Sequence, residues 1–211
     1  MSLAEFFARH QAELAARTLE HVGLVGAALV LATLIGIPAG LLLTRRPKLE
    51  KWVLGFAGVV QTIPSLALLG FLIPIPVIGG IGPRSAIVAL TLYALLPIVR
   101  NCYVGIKQVD PAVREAAVAM GMTDGQLLRM VEAPLAAPTI LAGLRVAAVT
   151  GVGVGTIAAL IGAGGLGYFI FLGLQTVNTP LILLGAVPAA VLALLVDGLL
   201  GRVERRVSRW A

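Results

Sequence analysis

Residues 162–167 have the GxGxxG spacing that is typical of a dinucleotide-binding turn, in which glycines let the backbone approach a pyrophosphate. That chemistry requires a preceding β-strand within a βαβ unit. Here a long apolar segment precedes the motif, so nucleotide binding is not expected. The sequence instead predicts a tight backbone turn, which glycine permits. The turn is formed by Gly162, Gly164, Gly165 and Gly167.

Residue patterns that would indicate catalysis or a metal site are missing elsewhere in the sequence. The P-loop pattern GxxxxGK[ST] does not occur, so the chain is not expected to hydrolyse ATP by itself. Cys102 is the single cysteine, and His10 and His21 have too few neighbouring ligand residues to suggest a metal site. We therefore expect a non-catalytic chain that needs neither a metal nor a cofactor.

A polar cluster interrupts an apolar segment where Gln61, Thr62 and Ser65 surround Pro64. A proline inside a helix frees a backbone carbonyl and bends or opens the helix. The neighbouring side chains could then offer hydrogen bonds to a solute in a pathway, or they could join one helix to another. The sequence leaves both interpretations open, and the four residues are our candidates for a pathway or gate.

The composition indicates which elements must position these residues. Of the 211 residues, 59% are hydrophobic and only 12% are charged, about half the share that is usual in globular proteins. The mean hydropathy is +1.00. This composition predicts an all-α membrane protein. The net charge of +6 does not indicate nucleic-acid binding, because the basic residues cluster in short segments between apolar ones.

Five apolar segments are long enough to cross a bilayer as helices. They are predicted at residues 22–43, 52–73, 85–106, 137–161 and 181–200. Thirteen of the 16 Lys and Arg residues lie in segments 44–51, 100–145 and 201–211, on one side of the resulting topology. The positive-inside rule therefore predicts an outside N terminus and a cytoplasmic C terminus. The glycine turn at 162–167 would then lie on the outer side.

The ends of this arrangement define two predicted units. Residues 1–21 begin with a capping box, Ser2 to Glu5, and carry apolar side chains at helical spacing. We expect them to form an amphipathic helix on the outer interface of the membrane. Residues 22–211 are predicted to form a single transmembrane domain, with a cytoplasmic loop at 107–136.

The cytoplasmic loop is predicted to contain two short helices. Asp110 can cap the first, with Pro111 at its first position and Gly121 ending it in a left-handed turn. Thr123 and Gln126 form a capping box for the second helix, which is expected to stop near the next proline, Pro134. One face of the first helix is predicted to admit close contact with another surface; it comprises Ala112, Val113, Ala116, Ala117 and Met120. The alternative is a helical hairpin that packs only under its own bundle.

The spacing within this loop resembles the EAA loop of ABC-transporter importer permeases. That pattern is EAA, three residues, Gly, nine residues, Ile, two residues and Pro. The matching residues are Glu115, Ala116, Ala117, Gly121, Val131 and Pro134, with Val in the Ile position as the one departure. The resemblance implies that the loop docks on a cytoplasmic ABC ATPase dimer, which would bind the ATP.

Further segments resemble the osmoprotectant branch of these permeases, which import glycine betaine, choline, carnitine and related quaternary amines. They are QTIPSLALL at 61–69, LPIVRN at 96–101 and IGAGGLG at 161–167. The resemblance implies a five-helix, methionine-importer-like type I permease fold in the inner membrane of a bacterium or archaeon. It also implies an extracytoplasmic solute-binding protein and a second permease copy, or a related permease, as partners.

A secondary transporter or channel without an ATPase is the alternative function. Such carriers usually keep ionisable residues at mid-membrane, and the middles of the five predicted spans have none. Arg145 and Asp197 lie near the cytoplasmic ends of spans four and five. We expect them to pair with each other or to extend to the membrane surface rather than to bind a solute.

Overall fold

The computed structural model describes residue 5, residues 8–76 and residues 78–209. Over these residues the regular elements are helical, which confirms the all-α prediction. In chain order they are α1 (Gln11–Arg45), α2 (Pro47–Thr62), α3 (Ser65–Leu72), α4 (Pro83–Lys107), α5 (Pro111–Ala119), α6 (Asp124–Leu127), a π-helical turn (Leu128–Glu132), α7 (Ala133–Ile157), a 3₁₀ turn (Ala158–Ile161), α8 (Gly167–Gln175) and α9 (Thr179–Val207).

Among the described residues, four of these helical segments are long and apolar enough to cross a membrane, and the bent pair α2–α3 makes a fifth when it is counted as one span. The predicted second segment, 52–73, is bent as the proline suggested, since α2 and α3 meet at an angle of 103°. The bend lies at Pro64, which cannot continue a helix without losing a backbone hydrogen bond. The uncharged segment 162–180 contains the short helix α8.

Helix α1 passes through the predicted boundary between residues 21 and 22 without a break. His21 is fully buried, and its Nε2 atom lies 3.1 Å from the carbonyl oxygen of Val152 in α7. Residues 11–21 are thus the first turns of the same long helix rather than a separate element. The predicted capping box begins at Ser2, outside the described residues, and the position of residues 1–21 on the membrane interface stays a prediction.

Helix α4 lies between α1 and α7 and contacts both of them closely. A Cβ added to Gly40 of α1 would lie 2.6 Å from Cβ of Cys102 in α4. On the other side of α4, a Cβ on Gly143 of α7 would lie 2.5 Å from Cβ of Asn101. Small residues let helix backbones approach in a membrane, where van der Waals packing replaces much of the hydrophobic effect. These three helices form the frame that holds the polar residues described next.

Candidate functional site

The candidate pathway residues surround the break between α2 and α3. Ile63 and Pro64 have extended backbones, with ψ angles of 127° and 135°. An extended conformation is expected for a residue that precedes proline, because the pyrrolidine ring disfavours the helical region there. The break therefore follows directly from the sequence. The break places Gln61, Thr62, Pro64 and Ser65 around one cleft.

Two hydrogen bonds join this break to α4. Pro97 has no N–H, so the carbonyl of Tyr93, one turn earlier, lacks its usual helical partner. The side-chain amide of Gln61 donates to that carbonyl at 2.9 Å. In return, the hydroxyl of Tyr93 donates to the carbonyl of Ile63 at the break. Pro97 in α4 and the extended break at Pro64 thus each leave a carbonyl that a side chain of the facing helix satisfies.

We call the bent junction of α2 and α3, residues 61–65, the α2–α3 elbow. A cleft of about 790 Å³ lies between this elbow, α4 and α7. All four sequence candidates line it: Gln61, Thr62, Pro64 and Ser65. Asn101 of α4 and Thr150 of α7 face the same space. Hydroxyl and amide groups therefore combine with aliphatic side chains, a surface suited to a small polar solute. The hydrogen bond of Gln61 joins two helices, as the structural interpretation expects, while the residue also lines the cleft. Its part in transport stays a prediction.

Arg100 is a lining residue that the sequence reasoning did not place in the cleft. Among the described residues that line the cleft, it is the only one with a charged side chain, and it is exposed. It follows Tyr93 and Pro97 and precedes Val104 at helical spacing, and all four line the cleft. That spacing was the signal available in the sequence. The described lining of the cleft thus contains one basic side chain and no carboxylate.

The caps and the turn of the loop at 107–136 agree with their prediction. Asp110 caps α5 by accepting a 2.8 Å hydrogen bond from the backbone of Ala112, and Pro111 occupies the first helical position. Gly121 has a φ of +84°, the left-handed conformation expected of it. Thr123 and Gln126 form the predicted capping box at the start of α6. The first loop helix thus has two defined ends, and the second has a defined start.

The prediction that the second loop helix stops near Pro134 is wrong. The chain passes from α6 through the π turn into α7, and Pro134 lies in the first turn of α7. A π turn is wider than an α-helical turn, so it accommodates the ring and the missing N–H of the proline. Val131 lies within the same turn and is half-buried. The loop is therefore continuous with a membrane-spanning helix.

Four of the five residues of the predicted face of α5 are exposed, and the exception is Ala117. Glu115 and Ala116 are exposed, but Ala117 is only 2% exposed and packs inside the chain. Ala117 therefore cannot belong to a surface that meets a partner. Large apolar side chains are also exposed in this loop. Val113 and Met120 belong to the predicted face, with Met120 at 71%, and Val118 and Met130 lie outside it. Their exposure outside the predicted spans indicates a contact surface.

The glycine turn has the predicted tight geometry. Gly162, Gly164 and Gly165 have φ angles of +73°, +80° and +77°. Gly167 has a different requirement, since a Cβ there would overlap the carbonyl oxygen of Thr156. The backbone N–H of Gly165 donates to a carboxylate oxygen of Glu20 at 3.0 Å, which ties the turn to α1. Its location on the outer side of the membrane stays a prediction.

The predicted pairing of Arg145 with Asp197 is confirmed. Nε and Nη2 of the arginine donate to the two carboxylate oxygens at 2.6 and 2.8 Å. A third nitrogen donates to Glu204 at 3.3 Å. Such a bidentate pair fixes the orientation of both groups. The pair joins α7 to α9, and Arg145 therefore has a structural role.

The comparisons with known proteins agree with these features. A family model described as the binding-protein-dependent transport system inner membrane component matches residues 32–209. The chain belongs to this family. The permease is therefore an inner-membrane transport component, which favours the ABC interpretation over a secondary transporter or channel.

The relatives cover nearly the whole permease. The carnitine transport permease protein OpuCB of Listeria monocytogenes is 43% identical over 98% of this chain and 94% of its own length. The osmoprotectant import permease protein OsmW of Salmonella typhimurium is 45% identical over 90% of each chain. An inward-facing structure of the MetNI methionine ABC transporter superposes with a TM-score of 0.82 at 28% identity, covering 92% of this chain and 96% of that one. The predicted methionine-importer-like fold is thereby confirmed.

Proposed function

We propose that the permease imports a quaternary-amine osmoprotectant such as glycine betaine, choline or carnitine. The observation that carries this proposal is the 43–45% identity to a carnitine permease and an osmoprotectant permease across at least 90% of the chain. The cleft of hydroxyl, amide and aliphatic groups suits the passage of a small, compact solute. Selective recognition of the ammonium group, which favours aromatic cages, is assigned to an extracytoplasmic binding protein, because only 5% of the residues here are aromatic.

The energy source is proposed to be a cytoplasmic ABC ATPase dimer that binds the ATP, so that the permease itself needs no cofactor. Glu115, Ala116 and Gly121 belong to the proposed contact with the ATPase, together with the exposed apolar side chains of the loop. Val118, Met120 and Met130 are exposed by 57%, 71% and 65%. Burial of such side chains at a partner surface supplies much of the binding energy of an interface.

A second permease copy, or a related permease, is proposed to complete the pathway. The cleft beside the α2–α3 elbow is open rather than enclosed by this one chain. A two-fold partner that presents the same elbow would place two such clefts on either side of a common axis. The pathway would then run between the two chains.

The proposed orientation places the glycine turn outside and the loop of α5 and α6 in the cytoplasm. It predicts that single cysteines replacing Arg84 or Thr179 react with a membrane-impermeant thiol reagent from outside, whereas Asp124→Cys reacts from the cytoplasmic side alone. All three positions are exposed, and the native Cys102, which is fully buried, is replaced by alanine in the background. Labelling of intact cells and inverted vesicles measures this, and the opposite pattern would overturn the topology.

The substrate class is tested by uptake into vesicles that contain the permease, its ATPase and its binding protein. Labelled glycine betaine, choline, carnitine and methionine are compared under the same conditions. The proposal expects ATP-dependent uptake of at least one quaternary amine and none of methionine. Uptake of methionine alone would assign the chain to a different solute class.

A further inference from the structure

Glu132 is a buried carboxylate that the proposed site does not use. It is the last residue of the π turn, and the residue is only 3% exposed. Burying a charge is costly unless partners compensate for the lost water. In the sequence it resembles an ordinary polar residue of a solvated loop helix. The structure places it instead beneath the loop.

Two arginines from different helices compensate the carboxylate. One carboxylate oxygen lies 3.0 Å from Nε of Arg114 in α5. The two groups form an ion pair, but the Nε–H of Arg114 does not point at the oxygen. The other oxygen accepts a 3.3 Å hydrogen bond from Arg45, the last residue of α1. Arg114 also donates to the carbonyl of Ile106 near the end of α4. Glu132 therefore lies where α1, α4, α5 and the start of α7 meet.

These contacts matter because α5 has few other connections to the bundle. It has nine residues, and Ala117 is the one among them that is buried. Arg114 is half-buried and directly precedes Glu115 of the proposed ATPase contact. A force applied to the exposed face of α5 must reach the bundle through Ala117, through the contacts of Arg114 with Glu132 and with the carbonyl of Ile106, and through the covalent chain. The π turn presents Glu132 to both arginines, and such turns recur at functional sites.

We propose that Glu132 is a positioning residue that fixes the angle of α5 against α1 and α7, so that the loop and the bundle move as one unit during transport. The proposal rests on the proposed coupling to an ATPase. Glu132 forms ion pairs with both Arg45 and Arg114, and so links α1 to α5. When these ion pairs are removed, the ATPase can still dock and hydrolyse ATP, but the movement of the loop is transmitted less completely to the membrane helices.

The first test compares Glu132→Gln with Glu50→Gln in assembled transporters. Glu50 is a matched control, because its carboxylate also joins two helices by accepting a 2.7 Å hydrogen bond from Tyr103. For Glu132→Gln we expect uptake to fall at least fivefold while ATP hydrolysis falls less than twofold, so that more ATP is spent per solute. The control should keep the original ratio. An unchanged ratio in Glu132→Gln, or a loss of uptake that only follows a loss of assembled complex, would overturn the proposal.

The second test needs no solute and therefore separates this inference from the proposed function. Spin labels are attached at cysteines replacing Lys48 and Ala119, two exposed positions at the start of α2 and the end of α5. Pulsed EPR then measures the distance between the two labels in the Cys102→Ala background. We expect a narrow distance distribution when Glu132 is present and a broader one in Glu132→Gln. Equal widths would overturn the positioning role, whereas absence of quaternary-amine uptake by the unmodified transporter would overturn the proposed function alone.

Discussion

Replacing Gly121 by valine is expected to lower solute uptake and solute-stimulated ATP hydrolysis together, by roughly 5–30-fold. Gly121 has a φ of +84° in the turn between α5 and α6. A side chain in the left-handed region costs about 1–2 kcal/mol, and a β-branched one is especially unfavourable there. The valine would therefore shift the turn and displace Met120 from the surface proposed to meet the ATPase. Initial rates of uptake and of phosphate release in reconstituted vesicles measure both effects.

Gly125→Val is the matched control for this prediction. Gly125 lies four residues further on in α6, has no left-handed backbone, and a Cβ there meets nothing within 4 Å. The same change of side chain should therefore leave assembly and transport within about twofold of the original. Membrane insertion and bundle stability should be unchanged in both variants. A Gly121→Val transporter with the native uptake rate would contradict a role for this turn in coupling.

Replacing Gln61 by leucine is expected to lower uptake by roughly 5–30-fold while the permease stays folded and bound to its ATPase. The change removes the hydrogen bond to the carbonyl of Tyr93, which has no helical partner because of Pro97. Hydrogen bonds between membrane helices contribute about 1–2 kcal/mol. The α2–α3 elbow would then lose one of its two hydrogen bonds to α4, and the cleft would lose the side-chain amide of Gln61. Uptake is measured together with copurification of the ATPase.

Gln175→Leu controls for the change from an amide to an aliphatic side chain. Gln175 is exposed at the end of α8 and does not line the cleft. It should leave uptake and folding unchanged. Tyr93→Phe removes the reciprocal hydrogen bond to Ile63 and should resemble Gln61→Leu. If Gln61→Leu instead lost the folded protein in detergent, the residue would act in structure alone and the pathway role would be contradicted.

The sequence predicted features that depend on neighbouring residues. The Asp110 cap, the left-handed Gly121 and the Thr123–Gln126 capping box each satisfy backbone groups within a few residues, so their chemistry is local. The break at Pro64 was anticipated as a bend or opening for the same reason. Its angle of 103° was not, because that depends on the helices packed around it.

Features that depend on distant contacts could not be predicted in this way. Helical spacing placed Ala117 on a shared face, but it could not tell which side of α5 faces the bundle; the packing buries Ala117. The partner of Gln61 lies 32 residues away, in the proline-interrupted helix α4. Glu132 is buried because the π turn directs it at Arg45 and Arg114, and no local pattern specifies that turn.

The most direct test of the account is accumulation of labelled glycine betaine in vesicles, with the binding protein outside and the ATPase and ATP inside. The account predicts accumulation above the external concentration with ATP and the ATPase, and none with a non-hydrolysable analogue or without the ATPase. Ion gradients across the same vesicles should have no effect. Accumulation driven by a proton or sodium gradient without the ATPase would contradict the account and establish a secondary transporter.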